Sequence, residues 1–314
     1  MEYRHTPVLP AEVTTHLSSH PGSIIVDCTL GGAGHAKRIA DSIAPTGTLV
    51  GIDQDDAALD AAAATLRLGR QATSIILKKG NFGDLDTLLI EAGIAYADGF
   101  LFDLGVSSPQ LDEARRGFSY HAEALLDMRM DPSGGGPSAA DVVNTYSETD
   151  LTRVIREYGE ERWASRIAAF IVAARGRRPL LTTTDLVEVV KAAVPASARR
   201  TGPHPARRTF QALRIEVNRE LDVLDRALRA AVRWLSPGGR IVVISYHSLE
   251  DRLVKNLFKE LASGCGCPPG LPVCSCGQTP VLRIITKRPV VPTADEIERN
   301  PRSRSAKLRA AERV

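Results

Sequence analysis

The chain has 314 residues, 43% hydrophobic and 25% charged, a composition typical of a globular protein of about two domains. This composition excludes disordered, collagen-like and coiled-coil proteins. The longest apolar run, Ile167–Ala174, is far shorter than the roughly 18 residues of a membrane-spanning helix. The first twenty residues contain charges and Pro7 where a secretory signal would be apolar, so we expect a cytoplasmic protein without a membrane partner.

The net charge of +3 comes from 40 basic and 37 acidic residues. Five cysteines are too few for a chain of this length to be stabilised mainly by disulfide bonds. Four of these cysteines form one cluster: Cys265, Cys267, Cys274 and Cys276. They could bind zinc through four thiolates, or they could lie reduced in a surface loop. Structural zinc sites usually place two residues between paired cysteines, whereas one stands here. We therefore predict no metal site.

Apolar runs alternate with helical patterns through the first hundred residues. The runs are Ile24–Asp27, Thr48–Asp53, Ser74–Lys78 and Gly99–Leu104, with helical patterns at Gly34–Ile43, Asp56–Leu68 and Asp84–Ala92. This alternation predicts βαβ units on a parallel sheet. Because the strands are apolar throughout, helices should cover both faces of the sheet. The predicted fold class is therefore α/β, with a doubly wound sheet.

The next buried strand, Arg240–Tyr246, begins 136 residues after Leu104, whereas a βαβ unit takes about 30. Helix signals occur within this interval at Ser138, Ser147-x-x-Asp150, Glu160–Ala174 and Thr184. We predict an inserted helical domain that recognises the substrate, over 112–207. It leaves the sheet at the carboxyl end of the fourth strand, where open α/β sheets bind ligands.

The rest of the chain divides around this insertion. Residues 1–111 and 208–290 are predicted to form one discontinuous ligand-binding domain, and residues 291–314 a basic tail. One long helix, about Thr209 to Leu235, should return the chain to the sheet. Ser248 is expected to cap a further helix, and Val281–Lys287 to add a last strand.

A glycine-rich loop, Gly31–His35, follows the first strand, and Asp53 ends the second strand about 20 residues later. An acid at that place accepts hydrogen bonds from both ribose hydroxyls of a nucleoside. The alternative is a tight turn with an N-capping Asp nearby. A dinucleotide fingerprint would need glycine where Lys37 stands, which argues against a dehydrogenase, and no phosphate-binding P-loop exists. S-adenosylmethionine, with a ribose and a carboxylate, fits this pattern.

Two further segments follow strands at the same edge of the sheet. Phe82, after Asn81 at the end of the third strand, is predicted to offer a face to adenine, or else to belong to the core. The segment from Asp103 to Gln110 follows the fourth strand and brings a carboxylate, hydroxyls and an amide to the methyl-donor end of the pocket. Alternatively, Asp103 caps nearby backbone amides.

Several blocks of the sequence carry a family resemblance. They are His5–Leu9, Gly31–His35, Asp103–Asp112, Arg116–Tyr120, Leu126–Asp131, Tyr158–Arg162, Arg208–Ile215, Ser245–Arg252 and Asn300–Arg304. Together they resemble the bacterial ribosomal RNA small-subunit methyltransferase H family, also called MraW, over nearly the whole chain. The resemblance implies an S-adenosylmethionine-dependent enzyme that methylates the exocyclic N4 of a cytidine in small-subunit (16S) ribosomal RNA. It also implies a Rossmann-like core with an inserted helical domain.

The partner implied by the resemblance is small-subunit ribosomal RNA within the small ribosomal subunit, and a homodimer is left open. The family's cofactor positions fall on Ala33, Gly34, His35, Asp53, Phe82, Asp103 and Gln110. Ala33 stands where relatives often have glycine, a change that costs little unless its φ is positive.

The chemistry can also be argued from the residues. Methylation at carbon 5 of cytosine needs an attacking cysteine, and Cys28 is the one candidate outside the late cluster. Methylation at nitrogen needs only a group that accepts a proton, for which we predict Asp103 as the catalytic residue. The base would stack on one of four rings: Phe118, Tyr120, Tyr246 or His247. His247 has an alternative role as a helix cap.

Basic groups occur at Arg175–Arg178, Arg199–Arg200, Arg207–Arg208 and in the tail, where they predict phosphate contacts. A rival hypothesis is a ribosome assembly factor or RNA chaperone that binds the cofactor without turnover. The intact segment from Asp103 to Gln110 argues against it.

Overall fold

The computed structural model describes residues 7–67, 73–106, 114–200, 202–264 and 279–314. The chain forms two compact units, one from residues 1–105 and 221–314 and the other from residues 106–220. The sequence prediction placed the corresponding boundaries at 111/112 and 207/208. No helix among the described residues is long and apolar enough to cross a membrane.

The first unit contains a seven-stranded sheet in the order β3-β2-β1-β4-β5-β7-β6. Its strands are β1 (Ile24–Asp27), β2 (Thr48–Asp53), β3 (Ser74–Lys79), β4 (Ala97–Asp103), β5 (Leu235–Ser245), β6 (Leu282–Ile284) and β7 (Lys307–Arg313). The first five strands are parallel to one another, and β7 is antiparallel to both β5 and β6. The strand order reverses between β1 and β4, which is the switch point where such sheets bind ligands. The predicted doubly wound α/β class is confirmed.

Helices of the first unit alternate with these strands. They are α1 (Pro10–Leu17), α2 (Gly34–Ile43), α3 (Asp56–Arg67), α4 (Leu85–Glu91), α11 (Glu220–Trp234), α12 (Ser248–Ser263) and α13 (Ala294–Arg299). Two apolar clusters in this unit fill the space around the sheet. One contains Phe100 and Phe102 of β4, and the other contains Leu101 between them, because side chains alternate along a strand.

The end of the chain differs from the predicted basic tail. Lys307–Arg313 forms β7, which pairs with β5 along six residues and therefore belongs to the sheet. Leu308 and Ala310 are fully buried, and Arg309 is bonded through Nε to Oδ1 of Asp251 at 2.6 Å. The basic residues of this segment are interspersed with small and apolar ones, a pattern that suits a strand as well as a solvated tail. These residues do not form a free arm for phosphate contacts.

The second unit is built from helices around a core of its own. These helices are α5 (Ala139–Thr145), α6 (Glu148–Glu157), α7 (Ala164–Arg175), α8 (Thr183–Ala193), α9 (Ala196–Arg199) and α10 (Arg207–Asn218). The predicted caps Ser138 and Ser147 each accept a hydrogen bond from the backbone three residues later. The third cap is Thr182 rather than the predicted Thr184, and it forms a capping box with Asp185.

The single long helix predicted from about Thr209 to Leu235 is wrong. Arg219 adopts a left-handed conformation with φ of 50° and separates α10 from α11. The adjacent Asn218 donates from Nδ2 to the carbonyl of Met128 and accepts at Oδ1 from the backbone N–H of Met130, both at 2.8 Å. The interruption between α10 and α11 is thus accompanied by long-range hydrogen bonds. No proline or glycine at this position indicates it in the sequence.

Candidate functional site

The carboxyl ends of β1, β2 and β4 meet at one edge of the sheet, because neighbouring parallel strands end on the same side. The segment after β1 runs through Gly31 and Gly34 into α2. Gly31 has a φ of 48°, a conformation that glycine adopts with little strain. Each strand ends in an aspartate at this edge: Asp27, Asp53 and Asp103.

Asp53 ties the end of β2 to the glycine loop. Its Oδ2 accepts a hydrogen bond from the backbone N–H of Gly31, and its Oδ1 accepts one from Asp55, both at 2.9 Å. Burial raises the pKa of Asp53, and these two hydrogen bonds oppose that rise. A carboxylate has about four acceptor sites, so Asp53 can still accept a hydrogen bond from a further donor. The two elements that the sequence singled out as a nucleoside site are therefore in direct contact.

Ala33 is the residue for which the sequence raised the question of strain. Its φ is 62° and it is fully buried, so it carries a left-handed conformation that glycine would adopt more easily. The assumption that the extra methyl group costs little does not hold at this φ. Gly34 follows it at the start of α2, where an added Cβ would come within 3.2 Å of the Pro7 side chain.

Asp103 is held by contacts from two other elements. Its Oδ1 accepts a hydrogen bond from the Tyr246 hydroxyl at 2.7 Å, and its backbone N–H donates to Oγ1 of Thr29 at 2.6 Å. Nε2 of His35 lies 3.7 Å from Oδ2 of Asp103. Burial raises the pKa of Asp103 to about 7, against the opposing effect of the Tyr246 hydrogen bond, and the charge of Glu250 adds to the rise.

Asp27 is a buried acid that the sequence analysis did not assign to the site. Only 1% of it is exposed, and its Oδ1 accepts a hydrogen bond from the backbone N–H of Thr29 at 3.1 Å. Burial raises its pKa to about 7, and the charges of Asp103 and Asp53 contribute to that rise. Its position at the end of a buried strand, directly before the glycine loop, was the signal that could have identified it.

Phe82 packs against the core and also stays partly exposed. Its ring lies edge-on to Phe102 with centroids 5.8 Å apart. The preceding Asn81 accepts at Oδ1 from the backbone N–H of Gly83 and donates from Nδ2 to Gln54, at the end of β2. Gln110 lies outside the described residues, as do Cys265, Cys267, Cys274 and Cys276.

The four predicted base-stacking rings have different surroundings. Tyr246 is anchored to Asp103 through its hydroxyl, and Phe118 is 6% exposed. His247 is the N-cap of α12 in place of the predicted Ser248, because its Nδ1 accepts from the backbone N–H of Glu250 at 3.4 Å. Glu250 completes this capping box, since its Oε2 accepts from the backbone N–H groups of Tyr246 and His247. Tyr120 lies in the second unit.

A family model described as the MraW methylase family matches residues 2–314. This chain belongs to that family. The ribosomal RNA small subunit methyltransferase H of Pelobacter propionicus is 54% identical over 313 residues, covering 99% of each chain. The protein of the same name from Geotalea daltonii is 55% identical over 313 residues, covering 100% of this chain and 99% of that one. The family resemblance expected from the motifs is confirmed.

Solved structures show more distant likenesses. A putative rRNA methylase from Clostridium thermocellum is 11% identical with a TM-score of 0.46, covering 99% of this chain and 100% of that one. SMU.1697c, a putative methyltransferase from Streptococcus mutans in complex with SAH, is 12% identical with a TM-score of 0.44, covering 97% and 98%.

As a member of the MraW methylase family, the protein is a methyltransferase that uses S-adenosylmethionine. The described residues suit this cofactor by charge. Burial holds the pKa values of Asp27 and Asp103 near 7, and a ligand with positive charge beside them would stabilise both carboxylates. S-adenosylmethionine carries an ammonium and a sulfonium. Asp53 contacts the glycine loop, and the partly exposed Phe82 ring packs against Phe102 of β4.

Proposed function

We propose that this protein transfers the methyl group of S-adenosylmethionine to the exocyclic N4 of a cytidine in small-subunit ribosomal RNA. Relatives that carry a small-subunit ribosomal RNA methyltransferase name align over the full length of the chain, which supports this substrate. The observation that carries the proposed chemistry is Asp103, a largely buried carboxyl group at the end of β4 whose position is fixed by Tyr246 and Thr29.

Cofactor binding is proposed for the residues at this edge of the sheet. Asp53 would accept hydrogen bonds from the ribose hydroxyls, and Phe82 would cover a face of the adenine. Gly34 and His35 begin α2, where backbone N–H groups can meet the carboxylate of the cofactor, and Ala33 is the N-cap residue that precedes them. Gln110 is assigned here from the family pattern alone. When bound, S-adenosylmethionine supplies an activated methyl group.

Asp103 is proposed as the proton acceptor. The N4 amine gains positive charge as it acquires a methyl group and must lose a proton, which a carboxylate within reach can accept. Burial brings the pKa of Asp103 to about 7 in the protein alone, and the positive charge of bound S-adenosylmethionine would lower it, so that the carboxylate is ionised and can accept a proton at neutral pH. The Tyr246 hydroxyl keeps its own proton, because burial and the neighbouring Asp103 raise its pKa further above the ordinary value. Tyr246 therefore acts as a donor that holds Asp103 in place.

Methylation at nitrogen also fits the state of the one cysteine within the described residues. Cys28 is 1% exposed, and burial raises its thiol pKa well above the ordinary value. A thiol in this state is a poor nucleophile. The covalent route that methylation at carbon 5 of cytosine requires is therefore disfavoured at Cys28.

The proposed setting of the reaction is the small ribosomal subunit in the cytoplasm, since the relatives' names specify the RNA of that subunit. The test uses small subunits purified from a strain that lacks the gene. These would be incubated with the protein and S-adenosylmethionine carrying a deuterated methyl group, digested to nucleosides and examined by mass spectrometry. Labelled N4-methylcytidine is the expected product, with Asp103→Asn as the matched control.

Labelled 5-methylcytidine, or a label in another nucleoside, would contradict the proposed target atom. Wild-type protein that binds S-adenosylmethionine and ribosomal RNA but transfers no label to naked RNA or to small subunits would favour an assembly factor instead.

A further inference from the structure

Three aromatic side chains gather in the second unit: Tyr120, His121 and His204. The rings of Tyr120 and His204 are stacked, with centroids 4.8 Å apart and planes inclined by 12°. The His121 ring is 4.4 Å from Tyr120 and 5.8 Å from His204. His121 is exposed and the other two residues are partly exposed, so this aromatic cluster is accessible from solvent.

The aromatic cluster is held in place by its surroundings. The Tyr120 ring rests edge-on against Phe210 of α10, with centroids 5.7 Å apart, and Phe210 is 3% exposed. Nδ1 of His204 accepts a hydrogen bond from the backbone N–H of Ala206 at 3.2 Å. Burial, and then electrostatic interactions with His121 and Lys191, lower the pKa of His204, which favours the neutral form of its ring. A flat, neutral ring that is already ordered loses little entropy when a ligand stacks on it.

The chain on the His204 side of the aromatic cluster is strongly basic. Residues 189–215 contain no acid but six cations: Lys191, Arg199, Arg200, Arg207, Arg208 and Arg214. Arg214 is paired with Glu220, Lys191 with Glu188, and Arg208 lies 3.9 Å from Glu161. Arg199, Arg200 and Arg207 are exposed. Arg207 is joined to the cluster through its backbone N–H, which donates to the carbonyl of His204 at 3.0 Å.

Helix stability does not explain the position of Arg207. Arg207 and Arg208 occupy the first turn of α10, which contains no acidic residue. Cations at this end of a helix oppose the helix dipole, so they weaken the helix instead of stabilising it. An anionic partner would relieve this repulsion.

We propose that the Tyr120–His121–His204 cluster is a stacking platform for an unpaired base of the substrate RNA, with Arg207 and the neighbouring arginines contacting the flanking phosphates. The combination of exposed aromatic rings and a basic surface is the one that single-stranded RNA requires, because bases stack on rings and arginines neutralise the backbone. This inference rests on the proposed function, and it adds where on the second unit the RNA binds.

The first test measures stacking without any methyl transfer. The probe is a single-stranded oligocytidylate of about 12 nucleotides with one 2-aminopurine, whose fluorescence is quenched when it stacks on an aromatic ring. We expect wild-type protein and Tyr120→Phe, which keeps the ring, to quench the probe and to bind it equally. Tyr120→Ala should bind about 5- to 150-fold more weakly, the value of stacking for one base, and should lose the quench.

Tyr120→Ala also removes a ring that packs on the core, so a second variant keeps the test independent of folding. His121→Ala changes an exposed ring and should weaken binding by about 5-fold, the lower end of the stacking range, with an unchanged melting temperature. Equal binding and equal quenching by wild type, Tyr120→Ala and His121→Ala would overturn the proposal.

The second test measures phosphate contacts through the salt dependence of binding. Arg207→Gln should reduce the slope of log K against log salt by about 0.7, the value for one phosphate on a single strand. Arg288→Gln, which removes an exposed arginine of the first unit, is the matched control and should leave the slope unchanged. Equal slopes for wild type and Arg207→Gln would contradict the proposed contact.

These measurements separate the platform from the function. If wild-type protein methylates small-subunit RNA while the variants of the aromatic cluster bind and quench as wild type does, the platform is wrong and the function stands. If wild type binds and quenches the probe through this cluster but methylates no cytidine, the platform stands and the function is wrong.

Discussion

The hydroxyl of Tyr246 donates a 2.7 Å hydrogen bond to Oδ1 of Asp103. The two residues are 143 positions apart, and strand register brings them together. Asp103 is the last residue of β4 and pairs with Ile244 of β5. Tyr246 follows Ile244 by two residues and stands directly after the end of β5. The phenol thus reaches back to the carboxyl group that we propose as the proton acceptor.

The first prediction concerns the pH dependence that this hydrogen bond controls. Tyr246→Phe removes a donor that favours the ionised form of Asp103, so the pKa of Asp103 should rise. A hydrogen bond to a charged group is worth about 1.5–3 kcal/mol, or about 1–2 pH units. The rate of single-turnover methylation, measured at saturating S-adenosylmethionine from acid to alkaline pH, should show its acid limb displaced upward by that amount. An acid limb at the wild-type pH would remove Tyr246 from this role.

The second prediction concerns cofactor affinity. Asp53→Asn removes the charge that would accept two ribose hydroxyls, each bond being worth about 1.5–3 kcal/mol. We expect the dissociation constant of S-adenosylmethionine, measured by calorimetry, to rise by about tenfold or more. Asp60→Asn, which changes an exposed acid on α3, is the control and should bind as wild type does. Unchanged affinity in Asp53→Asn would place the ribose elsewhere.

The third prediction concerns stability in the absence of cofactor. Burial raises the pKa of Asp27 from 3.8 to about 7, so between these values the folded state binds a proton that the unfolded state does not. The stability that this proton provides is present below pH 4 and is lost as the pH rises through 7. Asp27→Asn replaces the acid with a neutral side chain that does not titrate, so its stability should not fall as the pH rises. The free energy of unfolding at pH 8 should therefore increase by about 2–4 kcal/mol, since one pKa unit is worth about 1.4 kcal/mol.

Urea denaturation of the cofactor-free protein at pH 5 and pH 8 measures this effect, with Asp60→Asn as the control. The difference between Asp27→Asn and wild type should be larger at pH 8. A difference that is equal at both values of pH would show that Asp27 is ionised throughout.

The sequence predicted four of the five parallel strands well, because each of them is a short apolar run with its own turn signal, whereas β5 begins at Leu235, five residues before the predicted Arg240. Predicted and observed bounds agree to within two residues for Ile24–Asp27, Thr48–Asp53 and Ala97–Asp103. The sequence failed where long-range contacts decide. The charges of Lys307–Arg313 indicated a tail, but pairing with β5 makes the segment a strand. Nothing in the local sequence indicates the left-handed conformation of Arg219, which ends α10. The preceding Asn218 forms hydrogen bonds to Met128 and Met130, which are distant in the sequence.

In the candidate site, too, the features set by local sequence could be predicted and those set by long-range contacts could not. Contact between the glycine loop and Asp53 could be predicted, because both follow neighbouring strands by a known spacing. The bond between Tyr246 and Asp103 could not, since it depends on which strand lies beside β4 and in which register. Nor could the stack of Tyr120 on His204, whose residues belong to segments 84 positions apart.

The central claim is that the Asp103 carboxylate accepts the proton from the amine that is methylated. Asp103→Asn keeps the size of the side chain and removes the charge, so single-turnover methylation of small-subunit RNA tests the claim most directly. The assay uses cofactor concentrations at which binding to the variant is saturated, because Asp103 also lies at the proposed cofactor site. The rate should fall by about 10²–10⁴, the usual value of general-base assistance. A rate within about threefold of wild type, far less than such assistance supplies, would contradict the claim.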